Sequence, residues 1–418
     1  MLTAIGARLG GFFVCALATA IFVPWGGAHA ADYSVLHTFT GPPGDGGNPW
    51  SDLIEDKAGN LYGTTLRGGS TDYCGGRAPL GCGTVFKLAP DGSETVLHAF
   101  TGQPDGAYPS AGLVSDKGGN VYGTTGFGGA YNKGTVFEIA KNGSESVLYS
   151  FEGKHGVRPA AGLIVNEAGD LFGTTAYGGD RNCPQRVVVS GCGTVFRLAQ
   201  NGTETVLHAF AGAGEGNEPE GGLIMDPSGN IYGTTELGGD GAGNVFKLAP
   251  DGTETVLYTF HGKPDAARPS GSLMMDGAGN LYGAAAFGGN SCWFSVLGCG
   301  AIFKLEPNGN ESVLYTFAAG GDGFVPDAGL VADDRGNLYG TTLYGGNQGC
   351  SGDGCGTVFR LAPSGKETVL HAFNGRDGYE PGSNLLFVNG RLYGTASSGF
   401  ACGRSPRRGC GSVFELQK

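Results

Sequence analysis

The chain has 418 residues, 83 of them Gly and 40% hydrophobic, with 26 Lys+Arg against 38 Asp+Glu. That much apolar content, set in short alternating blocks, excludes a disordered Gly-rich chain and assigns the glycines to turns. A net charge of −12 argues against nucleic acid or an anionic membrane as partner, because both are bound largely through Lys and Arg.

Residues 1–30 read as a signal peptide: one charge, Arg8, an apolar stretch from Gly11 to Val23, and the small-residue pattern Ala28-His29-Ala30 before a cut at Ala31. An uncleaved anchor helix is the competing reading, and the Pro24 break and short apolar stretch weigh against it. After cleavage 25 Lys+Arg face 38 Asp+Glu, a balance of −13. Of eleven Cys, Cys15 leaves with this segment. The other ten form five local couples: Cys74 with Cys82, Cys183 with Cys192, Cys292 with Cys299, Cys350 with Cys355, and Cys402 with Cys410. An even number in an exported chain points to disulfides, whereas zinc would call for Cys-x2-Cys spacing or neighbouring His.

From Tyr33 onward four short elements recur, rich in Val, Ile, Thr, Tyr and Phe and without a helical period, so the chain is all-β. The first, d, is a Val-Leu-aromatic block ending at Phe39. Then come a, such as Leu53-Ile54; b, a Leu-Tyr-Gly block centred on Tyr62, Tyr122, Phe172, Tyr232, Tyr282, Tyr339 and Tyr393; c, a Val-Phe block such as that at Phe86; and d again at Phe100. Copies of b stand 60, 50, 60, 50, 57 and 54 residues apart, the mark of a repeat array. Asp-x-x-Gly-Asn turns join a to b, and Pro-Asp-Gly or Asn-Gly turns join c to d, both tight hairpin chemistry.

The chain starts on a d element with nothing before it and ends on a c element, Gly411 to Leu416, with no d after it. Seven of each exist only if the N-terminal d completes the last sheet. The expected fold is therefore a seven-bladed β-propeller of four-stranded blades over residues 31–418, its N-terminal strand closing the last blade. An open β-solenoid would not need the offset start. With a innermost, the short a–b and c–d turns share one face. The longer d–a and b–c connections, with all five Cys couples, share the other, where function is expected.

The unit Gly-Asn-Leu-Tyr-Gly-Thr-Thr, Gly-Gly, Gly-Thr-Val-Phe-Lys-Leu-x-Pro-Asp-Gly and Thr-Val-Leu-His-x-Phe resembles the GloVer tandem repeat of exported bacterial proteins, over nearly the whole mature chain. The resemblance implies a surface or secreted propeller-like protein and no particular biochemical activity. Many members of that family carry a C-terminal sorting or anchoring segment. This chain ends at Lys418 just after a blade strand, which favours a periplasmic or released protein, expected as a monomer without membrane insertion.

Residues common to all repeats are explained by the blade, so candidates are those that break the repeat on the elaborated face. Each d–a loop carries a Pro, and four residues before it stand Asp45, Asp105, His155, Glu215, Asp265, Asp322 and Asp377. Such side chains close turns on their own backbone. Read functionally, they form an acidic ring at the channel mouth, suited to sugar hydroxyls or to a structural calcium ion; no other cofactor is called for. Beside the prolines, Trp50, Tyr108, Arg268, Asp327 and Glu380 are the aromatic and charged groups of a carbohydrate site. His155, Arg158, Glu218 and Glu220 form the candidate catalytic group, with paired carboxylates for a glycosidase or a His-Arg couple for a lyase. His37, His98, His208 and His371 share a strand-d position with three Tyr and read as packing. The expected function is binding of an extracellular ligand, a neutral glycan, through the Cys-stapled face. The alternative is an extracellular glycoside hydrolase or lyase with its site in the central funnel.

Overall fold

Each copy of the repeat folds into a small antiparallel sheet whose strands follow one another a, b, c, d. A computed structural model describes residues 32–70, 74, 80–179, 183, 191–212, 214–293, 295–346, 349–399 and 410–417; the expected signal segment and Cys402 lie outside these. Blade 1 consists of Ile54–Glu55, Leu61–Gly68, Thr84–Leu88 and Glu94–Ala99. Five more blades repeat the order, down to Glu367–Ala372 as strand d of blade 6. Blade 7 is Leu386–Val388, Arg391–Ala396 and Ser412–Gln417, completed by the N-terminal Asp32–Thr38, which pairs antiparallel with Ser412–Gln417. The seven-bladed β-propeller is thus closed by its first strand. Strands a of blades 2 and 3, and of blades 6 and 7, touch, which puts strand a innermost.

One aromatic contact, repeated seven times, holds blade to blade. The Phe after each strand d meets the strand-c Phe of the next blade edge to face, as Phe100 meets Phe137 and Phe260 meets Phe303, at centroid distances of 5.1 and 4.9 Å. Phe39 on Phe86 makes the same contact across the closing seam. These rings are essentially buried, and each pair adds roughly 0.5–1.5 kcal/mol beyond the area it removes from water. The strand-b Gly follows from this packing: a Cβ on Gly63 would come within 2.7 Å of Phe86 and 2.9 Å of Leu53. Polar pairs are matched within blades too. Thr65 and Thr84 hydroxyls lie 2.7 Å apart, and where blade 5 loses one, at Ala285, it loses the other, at Ala301.

The a–b turn is closed by its Asp. Asp56 accepts from the amides of Ala58 and Asn60, from Asn60 Nδ2 and from the Tyr62 hydroxyl, at 2.7–3.0 Å. In blade 3 the two residues are exchanged to Asn166 and Asp170, and Phe172 replaces Tyr. The displaced carboxylate is taken by Arg197, whose Nε and Nη2 reach Asp170 Oδ2 at 3.0 and 2.6 Å. On the other face, disulfides join Cys74–Cys82, Cys183–Cys192, Cys292–Cys299 and Cys350–Cys355. Cys410 is disulfide-bonded as well.

Candidate funnel site

Two features recur in every d–a loop. The loop pairs with the end of strand b in its own blade, as Gly106–Ala107 pairs with Phe127–Gly128 and Val157 bridges Tyr177. Further, the residue before each Pro is left-handed: Asn48, Tyr108, Arg158, Glu218, Arg268, Val325 and Glu380 all have φ of 53–58°. A bulky residue there is strained, and it is held from two sides. The Arg158 amide donates to Lys133 O of the preceding blade at 3.0 Å, while its carbonyl accepts from Ala176 N at 3.0 Å. Where a disulfide staples the preceding loop, the second Cys supplies the acceptor, as Cys192 O does for Glu218 N. The Cys loops therefore brace the funnel rim.

Blades 3 to 5 bring together a cluster of charges. Glu218, Glu220 and Glu236 offer carboxylate oxygens within 4.8 Å of one another. Glu236 is brought in by the backbone, its amide donating to Glu218 O at 3.0 Å. Arg158 Nη1 lies 3.8 Å from Glu220 and Arg268 Nη1 3.4 Å from Glu236. Each guanidinium also sits over a ring, Arg158 over Tyr177 at 5.9 Å and Arg268 over Phe287 at 5.6 Å. Burial first, and then the neighbouring acids, hold all three Glu above the usual carboxylate range, against the pull of the arginines. Such a group shares protons or takes a cation.

The cavity at the ring's centre measures about 200 Å³ and is lined from all seven blades, Trp50, Arg158, Glu220 and Asp327 among them. Ser270 Oγ donates to Asp327 Oδ1, and burial pushes that carboxyl upward despite it. Asp52, which sequence reasoning did not single out, accepts from the amide and Nδ2 of Asn384, both at 2.8 Å. Burial raises its pKa to about 6 against these bonds.

The remaining candidates are dispersed. Tyr108 packs edge to face on Phe127, 5.8 Å away, and Glu380 accepts from the Tyr344 hydroxyl at 3.3 Å. His155 does not join Arg158, Glu218 and Glu220; its Nδ1 is 2.8 Å from Glu204 Oε2 on strand d of blade 3. The acidic ring expected four residues before each Pro is not at the channel, since none of its members lines the cavity. Asp45 closes its turn by accepting from Thr40 N at 2.6 Å, and Asp322 does so from Ala318 N at 2.8 Å. Glu236 is the residue missed with the best signal: it stands where the other blades have Leu66, Gly126, Ala176, Ala286, Leu343 and Ser397.

Comparison with solved structures finds the same fold. The extracellular domain of a protein assigned to a hybrid two-component system of B. thetaiotaomicron matches with TM-score 0.55 at 9% identity, over 90% of this chain and 39% of that one. A second such domain from that organism gives 0.53 at 12%, over 92% and 41%. The chain thus spans about two fifths of their length. A Bacteroides uniformis protein assigned as a 6-phosphogluconolactonase gives 0.49 at 17%, over 79% and 86%. No protein of curated function matches. The repeat itself is matched by a family model across residues 27–185 and 183–414, and on that evidence the chain belongs to the Gloeobacter/Verrucomicrobia repeat family.

Proposed function

We propose that this is an exported propeller that binds the end of a neutral glycan in its funnel. The observation that carries the reading is the group Glu218, Glu220 and Glu236, crowded within 4.8 Å and flanked by Arg158 and Arg268. Carboxyls that burial and crowding hold above their usual range share protons more readily, presenting donors as well as acceptors, which suits hydroxyl groups better than an ionic ligand. Trp50, three blades away, supplies an apolar face against which a sugar ring can stack. A cavity of about 200 Å³ suits one terminal sugar better than a threaded chain. The disulfides support an oxidising compartment, secreted or periplasmic.

One observation favours hydrolysis as a second reading: retaining glycosidases hold their two carboxyls about 5 Å apart, one of them kept protonated, and the Glu cluster is of that scale. Both readings are tested by incubating the mature protein with a panel of neutral oligosaccharides and polysaccharides, following thermal shift and released product. Binding without product supports the module, and product makes it an enzyme. A site in the funnel requires that Glu220→Gln and Arg158→Ala each weaken binding about tenfold or more. If some sugar binds and both variants bind it as wild type does, the site is elsewhere.

A further inference from the structure

Away from the funnel, the outer seams between blades carry a second repeated arrangement that turn closure does not account for. At six of seven seams the first residue of strand d is a Glu: Glu94, Glu145, Glu204, Glu254, Glu311 and Glu367. Each faces the His or Tyr of the preceding strand d and the d–a loop residue beside it. Glu94 meets His37 and Asp45, and Glu145 meets His98 and Asp105, with ligand-capable atoms within 4.8 Å in both groups. Glu254 neighbours Glu215, which lies 3.6 Å from His208; Glu311 faces Tyr258 and Asp265; Glu367 faces Tyr315 and Asp322. Every one of the six has a buried Oε1 without a hydrogen-bond partner. A carboxylate with a buried unpaired oxygen and a second acid beside it is costly when both are ionised, and the cost falls when one carries a proton.

We propose that the five seams with a facing acid are proton latches: on mild acidification the Glu takes up a proton and bonds the facing acid across the seam, so that the ring tightens as the pH falls. A bound dication is the less suitable reading, because three seams replace the His by Tyr149, Tyr258 or Tyr315, and Tyr258 and Tyr315 donate to Asp265 and Asp322 at 3.1 and 3.0 Å. Proton sharing survives that replacement, whereas a His-dependent metal site does not. Two seams are built differently. In one, His155 takes the place of the acid, 2.8 Å from Glu204, with Tyr149 and Glu152 nearby. In the other, Tyr33 replaces Glu and stacks on His371 at 3.8 Å beside Asp377.

Burial, and then the facing acid, pushes Glu94, Glu254, Glu311 and Glu367 up to about 7. The folded ring therefore binds more protons than the unfolded chain between about 4.5 and 7. That stabilisation is fully present below the unfolded value and is lost as the pH rises through the folded one. His37 and His208 oppose it weakly, since burial lowers their pKa and makes protonation unfavourable. Asp52 and the funnel Glu contribute with the same sign as the seams, so the test must be a difference.

The test compares melting midpoints of the mature protein with those of a variant carrying E94Q, E254Q, E311Q and E367Q, at pH 5, 6, 7 and 8. Gln copies the protonated shape. Wild type should melt several degrees higher at pH 5 than at pH 8, and the variant should lose most of that difference while melting at or above wild type at pH 8. Should the fourfold variant not fold, each single change should remove about a quarter of the part of the slope assigned to the four. An unchanged slope in the variants, or a wild-type midpoint that is flat or falls on acidification, overturns the proposal. So does a midpoint at pH 8 that drops with chelator and returns with calcium or zinc.

Discussion

The two faces of the propeller use one backbone to opposite ends. On the a–b and c–d face the repeated side chains make the same bonds in blade after blade, with Asp56, Asp116, Asp226, Asp276 and Asp333 each closing its turn on an Asn amide four residues on. On the funnel face the backbone is just as regular, with seven left-handed residues before seven prolines, yet the side chains there are Asn, Tyr, Arg, Glu, Arg, Val and Glu. Regularity of the cradle combined with variety of the contents is what lets a ligand site change without the fold changing. The difference between the faces can be tested by asking which positions hurt stability and which hurt only binding.

The largest loss should come from the aromatic contacts that both faces depend on. Phe303→Ala removes a fully buried ring that packs on Phe260 and lies against Gly283, and should lower stability by about 3–5 kcal/mol in urea unfolding. Next is the repeated face: Asp276→Ala removes an acceptor used by Ala278 N, Asn280 N, Asn280 Nδ2 and the Tyr282 hydroxyl and should cost about 1–2 kcal/mol. A loss below about 0.3 kcal/mol would show that the shared Asp is not what holds that face.

How much of this the chain announces depends on whether the cause is local. Strand order and ring closure follow from a pattern present in seven copies, and the disulfide couples from Cys placed close together within single loops. Arg158, Glu220, Trp50 and Asp327 are legible because they flank a Pro whose place in the blade is fixed. Glu236 is not, because it reaches Glu218 through pairing between the end of strand b and the d–a loop, a register that no periodicity displays. Nearness in sequence groups His155 with Arg158, but the Val157–Tyr177 bridge lies between them and His155 turns to the outer seam. The seam Glu are hidden in the opposite way. They belong to the repeat, so they read as blade chemistry, and only the packed ring brings five of them against the preceding loop's acid.

The smallest expected effect on stability falls on the funnel face and is the most informative about it. Glu220 is crowded by Glu218 and Asp327 and held by Arg158. Burial raises its folded pKa above the unfolded value, so ionised Glu220 weakens the fold as the pH rises through that folded value. Glu220→Gln should therefore change stability less in acid than at pH 8, where it should raise it slightly, by less than about 1 kcal/mol. Arg158→Ala should do the reverse, costing more at pH 8, where it strands Glu220 without its cation, than in acid, where less of the carboxyl is ionised. Opposite pH slopes from two residues 3.8 Å apart would mark the funnel as a charge-balanced pocket whose arginine offsets crowded acids. Parallel slopes would mean that Arg158 acts through its stacking on Tyr177, and the rim would then be an aromatic surface with charges at its edge.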